Sequence, residues 1–176
     1  MKHLTLTPLT AEHFAPFGDV ISTEDKDFFL INSGSTERYH SLATVNTGAD
    51  DGRAIISIFR KPVADRFPLQ VKLLERHPQG SQAFIPLQRK PFLILVAPPA
   101  DAPDPSAMRL FLSDGRQGVN YHAGVWHHPL ITLEDDDQLL IVDRQGQLPN
   151  CDEVFFDDAD AWWIAHPFQE KEEGTL

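Results

Sequence analysis

Short apolar runs, each closed within a few positions by proline, glycine or charge, recur along the whole chain. Lys2 to Leu6 alternates polar and apolar side chains, the period of a strand with one buried face. Thr10 behind it is an N-cap for a brief helix through Phe14, which Pro16 and Gly18 close. Arg53 to Arg60 is apolar and rich in β-branched residues, and it stops at Lys61-Pro62. Leu69 to Glu75, Gln82 to Leu87 and Phe92 to Val96 follow the same rule, each bounded by turn residues. Met108, Leu110 and Leu112 alternate with Arg109, Phe111 and Ser113 before a turn at Asp114-Gly115. Val119 to His122, Leu130 to Leu133 and Gln138 to Val142 complete the set.

These segments amount to eight or more strands at intervals of roughly 8 to 15 residues. No helical period between them is long enough for a parallel crossover. The pattern predicts an all-β protein, an antiparallel sandwich or small barrel with short helical segments. Without repeats or a Gly/Ser linker, residues 1–156 read as one domain and residues 157–176 as an acidic extension. That extension carries Asp157, Asp158, Asp160 and Glu170-Lys171-Glu172-Glu173 around Trp162-Trp163. The tryptophans are expected to cover a sheet edge or a subunit contact, and the last six or so residues to fray.

Composition narrows the function classes. The length of 176 residues suits one full-sized core. The longest apolar run, Phe92 to Ala97, falls far short of a membrane span, and the N-terminus lacks the apolar stretch of a secretory signal. The expected location is therefore the cytoplasm. A net charge of −11 repels phosphate backbones and anionic lipid surfaces, so neither nucleic acid nor membrane is an expected partner. One cysteine, Cys151, excludes an intrachain disulfide and a multi-thiolate metal site. Fourteen prolines leave little room for long helices.

Candidate chemistry gathers where histidines do. Glu75 and His77, two apart on an expected strand, point to one face, and Gln82 follows a turn through Pro78 and Gly80. A second segment runs from Gly118 through Tyr121, His122, Trp126, His127, His128 and Pro129. In extended chain only one of His127 and His128 faces inward, and Ala123-Gly124 marks a tight turn before them. Two such segments in a barrel suggest one shared site at its mouth. A third stretch holds Phe28-Phe29-Leu30-Ile31-Asn32 and Glu37-Arg38-Tyr39-His40; Arg38 offers a planar fork for a carboxylate. A solvated loop is the plainer reading of that stretch.

Taken in order from Leu4 to Cys151, these segments together with Ser81-Gln82-Ala83-Phe84-Ile85-Pro86 closely resemble the ureidoglycolate lyase family of allantoin degradation. The resemblance implies a cupin-like, double-stranded antiparallel β-barrel of jelly-roll type, usually a homodimer, that cleaves (S)-ureidoglycolate to glyoxylate and urea. It also implies a divalent metal such as nickel, with Glu75, His77, Gln82 and His127 at the ligand positions. A neutral Gln is a weaker ligand there than a carboxylate or imidazole. With metal, His77 and His127 are the surest ligands. Without it, Glu75 becomes the base, Arg38 or Arg60 clamps the carboxylate, and His40, His122 or Tyr121 serves as acid. Asn32 and Trp126, within the matching segments, are taken as substrate contacts. Two alternatives stay open: a non-catalytic cupin binding a small carboxylate, and an amidohydrolase releasing ammonia from the same compound.

Overall fold

The computed structural model describes residues 2–169. Strands β1 (Lys2–His3) and β2 (Leu6–Thr7) precede the single α-helix among the described residues, α1 (Ala11–Phe14), whose N-cap Thr10 accepts a hydrogen bond from the His13 N–H. Then come β3 (Gly18–Ile21), a hairpin of β4 (Phe29–Ile31) and β5 (Thr36–Arg38), and the long β6 (Arg53–Lys61). Next are β7 (Leu69–Gln70), β8 (Leu73–Arg76), β9 (Gln82–Pro86), β10 (Phe92–Ala97) and β11 (Arg109–Ser113). The chain continues through β12 (Gly118–Tyr121), β13 (Trp126–His127), β14 (Ile131–Thr132) and β15 (Asp137–Gln145). β16 (Asp152–Phe155) and β17 (Trp162–Ile164) are the last strands among the described residues.

The protein is all-β, in layers. One sheet runs β3-β12-β9-β15-β6, a second runs β16-β8-β13-β10-β11-β2 with β14 also on β10, and a third runs β1-β17-β7. The first two are open along these pairings among the described residues. Strand β10 shows why its sequence is apolar throughout. Phe92, Ile94 and Val96 join Phe84, Val119, Tyr121, Leu139 and Ile141 in one core, while Leu93, Leu95 and Ala97 join Leu74, Trp126 and Ile164 in another. A strand buried on both faces cannot alternate.

Two expected strands change partners midway. Lys2 to Leu6 divides because β1 pairs with β17 and β2 with β11. Leu69 to Glu75 breaks at Val71, whose N–H donates to the Trp162 carbonyl, so that β7 stays with the third sheet and β8 crosses to the second. The stretch around Arg38, plainer as a loop, is a hairpin whose two strands pair only with each other among the described residues. From the acidic stretch after residue 157, Trp162–Ile164 forms β17 and Ile164 is fully buried. The Glu170 to Glu173 cluster and the expected fraying end lie outside the described residues.

Candidate functional site

Strand register assembles the site between the two large sheets. On the second sheet, Glu75 of β8 lies directly opposite His127 of β13. On the first, Gln82 of β9 lies opposite Tyr121 of β12. His77 follows β8, and its ring centroid stands 5.0 Å from that of His127. Ligand atoms of Glu75, His77 and His127 all fall within 4.8 Å of one another. The turn before β13 is tied in by Gly124, at φ +80°, whose N–H donates to the His77 carbonyl at 2.9 Å. Ala123-Gly124 thus sets where His127 enters the core.

The hydrogen bonds around the cluster decide where its lone pairs point. The His127 Nδ1–H donates to the Val125 carbonyl at 3.0 Å. Burial holds the pKa of His127 below its ordinary value, so the ring is neutral and Nε2 is bare. That Nε2 is buried without a hydrogen-bond partner and stands 3.5 Å from Glu75 Oε1. The His77 Nδ1–H donates to the Asn150 carbonyl at 2.6 Å, leaving Nε2 toward Gln82 Oε1 at 3.1 Å. Gln82 donates its amide to Asp143 Oδ2 at 3.1 Å, so its carbonyl oxygen is the end turned to the histidines.

Four potential ligand atoms therefore converge: Glu75 Oε1, the Nε2 atoms of His77 and His127, and Gln82 Oε1. Such a set repels itself unless a cation or proton lies between, and two imidazoles, a carboxylate and an amide oxygen fit a divalent transition metal. Tyr121 closes one wall, stacked on His127 with centroids 4.4 Å apart. Burial, then the Glu75 charge, pushes its phenol well above the ordinary tyrosine value, so it keeps its proton.

The other expected site residues are dispersed. His128, half-buried, donates from Nδ1 to the Pro129 carbonyl, so of the adjacent histidines His127 is the inward one. Trp126 points to the opposite face of β13, into the second core, where its indole N–H donates to the Ala100 carbonyl. His122 is turned outward onto Asp19 at 3.0 Å. Arg60 pairs with Asp136 at the far end of β6, opposite Gln138, about 17 Å along the ladder from Asp143 by strand rise. Asn32, Arg38 and His40 lie on or beside the exposed hairpin. Its return segment rejoins the body where the Asn46 N–H donates to Ser81 Oγ at 2.7 Å and the Ser81 N–H to the Asn46 carbonyl, one residue from Gln82.

Sequence reasoning passed over Asn150 and Asp143. Asn150 holds both His77 and, through Oδ1, the Gln79 N–H. Asp143 carries a signal in the pattern: Leu139, Ile141 and Asp143 share one face of β15, so an acid follows two core residues.

A family model described as ureidoglycolate lyase matches residues 1–165. A ureidoglycolate lyase of Stutzerimonas stutzeri strain A1501 is 61% identical over 156 residues, covering 89% of this chain and 91% of its own. One of Azotobacter vinelandii strain DJ is 55% identical over 167 residues, 95% of this chain and all of the relative. One of Pseudomonas putida strain W619 is 57% identical over 169 residues, 96% of this chain and all of the relative.

Proposed function

The chain belongs to the ureidoglycolate lyase family, and from that premise we propose that it cleaves (S)-ureidoglycolate to glyoxylate and urea, in the use of allantoin as a nitrogen source. The observation that supports a reaction centre at Glu75, His77, Gln82 and His127 is the convergence of four potential ligand atoms, one of them the unpartnered, buried Nε2 of His127. The reaction is the collapse of a carbinolamine. The substrate hydroxyl loses its proton, the carbon–oxygen double bond of glyoxylate forms, the carbon–nitrogen bond breaks, and the departing ureido nitrogen takes up a proton.

The proton count closes within the site. Glu75 is charged near neutral pH; its Oε1 faces His127, and Oε2 lies toward the open side near Cys151, 3.9 Å away. We assign it the hydroxyl proton, which it returns to the leaving nitrogen; groups so placed contribute roughly 10²–10⁴-fold. His77, His127, Gln82 and Glu75 are the residues that would hold a divalent ion, nickel being the family's expectation. A bound divalent ion would supply positive charge for the substrate's carboxylate and hydroxyl oxygens and favour loss of the hydroxyl proton. Arg38 is assigned to the substrate carboxylate and His40 to hydrogen bonding of the ureido group, both carried by a hairpin tethered beside Gln82. Asn32, at the hairpin's tip, is kept as a further contact. Arg60 and His122 are engaged elsewhere, with Asp136 and Asp19, and are assigned no role at the site.

The two sheets enclosing one core favour a flattened cupin-type double-stranded barrel. A homodimer is favoured by apolar side chains on the outside. Ile56 and Ile58 of the edge strand β6 are 73% and 57% exposed, and Phe28, Phe29 and Leu30 of the hairpin are about half exposed. Among the described residues no helix is long and apolar enough to cross a membrane, and a cytoplasmic catabolic role agrees with the acidic charge and lone cysteine.

Purified protein incubated with (S)-ureidoglycolate tests the function. Urea and glyoxylate in equal amounts are expected, with loss in His127→Ala. Ammonia in place of urea would establish the amidohydrolase, and glyoxylate binding without turnover the non-catalytic module. Light scattering of the same sample reads the dimer.

A further inference from the structure

Gln82 raises a question that the cluster alone does not answer. A primary amide can present either its oxygen or its NH₂ to a site, and the two ends are nearly isosteric. Only the oxygen can contribute to a cation site. Something must hold the amide that way round.

The holder is a carboxylate on a neighbouring strand. Asp143 sits on the inner face of β15, which pairs with β9 from Leu139 through Val142. Its Oδ2 accepts from Gln82 Nε2 at 3.1 Å. Its Oδ1 is buried with no hydrogen-bond partner, and the carboxylate forms no ion pair among the described residues. A half-satisfied buried carboxylate is a liability to folding. Packing therefore gives no reason for an acid at this position, where Leu139 and Ile141 before it are core residues.

We propose that Asp143 is a positioning residue: by accepting from the Gln82 amide it turns Gln82 Oε1 toward Glu75, His77 and His127, and makes a neutral side chain serve as the fourth ligand of a cation. A carboxylate acceptor admits only N–H donors, so the reversed amide would set oxygen against oxygen at about 3 Å. The same hydrogen bond pulls electron density through the amide onto Oε1, which strengthens a donor that is otherwise weak beside a carboxylate. The pair Gln82–Asp143 thereby spreads over two strands what one acidic ligand would do, with the charge one bond network further from the substrate.

This inference rests on the cation site proposed above, and the experiment separates the two. Full-length protein stripped with chelator is titrated with Ni²⁺ by calorimetry, comparing wild type, His127→Ala, Asp143→Ala, Asp143→Asn, Gln82→Glu and the double variant Gln82→Glu/Asp143→Asn. Thermal melts of the metal-free proteins control for folding. Asp143→Ala is expected to weaken Ni²⁺ binding by about 10–100-fold, while Asp143→Asn, whose carbonyl still accepts, loses less. Gln82→Glu alone sets two carboxylates together and weakens binding; adding Asp143→Asn restores it, because the new carboxylate now accepts from the asparagine. Equal Ni²⁺ binding by wild type and a folded Asp143→Ala overturns the inference, as does a double variant no better than Gln82→Glu. Wild type that binds no better than His127→Ala overturns the cation site instead. The imidazole ¹⁵N shifts of His77 in metal-free protein then read the amide directly: they move in Asp143→Ala if it holds Gln82, and unchanged shifts overturn the assignment.

Discussion

The ring of Tyr121 lies against the imidazole of His127, centroids 4.4 Å apart and planes inclined by only 23°. The stack fixes the plane in which His127 presents Nε2, while burial keeps the phenol protonated. Tyr121→Phe preserves the stack and is expected to release urea within a few-fold of wild type. Tyr121→Leu, which removes it, is expected to lose on the order of 10²-fold, the scale of a small misplacement of a reacting group. Urea assays on the two variants decide between a wall and an acid: collapse of Tyr121→Phe to the level of Tyr121→Leu would make the hydroxyl a participant.

Gly124 at φ +80° links two parts of the site, since its N–H reaches the His77 carbonyl and its turn delivers His127. A β-branched residue is strained in that region of backbone space, by roughly 1–3 kcal/mol. Gly124→Val should lower the melting temperature and reduce urea release by more than the loss of folded protein accounts for. The check is activity per folded molecule, with folding followed by near-ultraviolet circular dichroism. A variant that melts early yet keeps full specific activity would detach the turn from the site.

Asp137 is fully buried, and neither carboxylate oxygen has a hydrogen-bond partner. Burial raises its pKa above 3.8, partly offset by the Gln138 backbone and Lys90. The sign follows: between the unfolded value and the raised folded one, the native state binds more proton than the unfolded chain, so stability falls as pH rises through that window. Above it the full cost of the buried charge persists. Asp137→Asn should match wild type in acid and melt higher near neutral pH. Melting curves across that range test it, and a variant less stable at neutral pH would mean that the charge has a partner worth keeping.

Ile164 is fully buried in the second core with Leu74, Trp126 and Leu93. Ile164→Ala is expected to cost about 2–5 kcal/mol, read from urea-denaturation midpoints; a cost under 1 kcal/mol would mean that this stretch only leans on the sheet. The same residue marks where the sequence stops being legible. Strands whose apolar residues alternate or run together, such as β6, β10 and β15, announce themselves, because burial on one or two faces dictates composition. Strand β17, two tryptophans and an isoleucine among aspartates, is defined by parallel pairing to β1 some 160 residues away, and no local period encodes a partner at that distance. The site divides likewise. Glu75, His77, Gln82 and His127 stand out by residue type in segments the pattern already makes strands. Asp143 acts through one hydrogen bond to Gln82, and Asn150 through its carbonyl to His77 and its Oδ1 to Gln79, contacts that only the tertiary fold brings together.

Glu75 and His127 set function against stability most directly. The bare Nε2 of His127 and Oε1 of Glu75 face each other at 3.5 Å as two acceptors, directly paired across β8 and β13. Replacing Glu75 with Gln supplies an N–H that can donate to Nε2, satisfying the orphaned atom and removing a half-buried charge. Glu75→Gln should therefore fold at least as stably as wild type in chelator, with an equal or higher melting temperature. It should lose urea release by at least about 10²-fold, because the amide neither accepts the hydroxyl proton nor carries it to nitrogen. Parallel melts and assays test both halves. A destabilised variant would show that His127 already holds a proton toward Glu75, and an active one would move the base elsewhere.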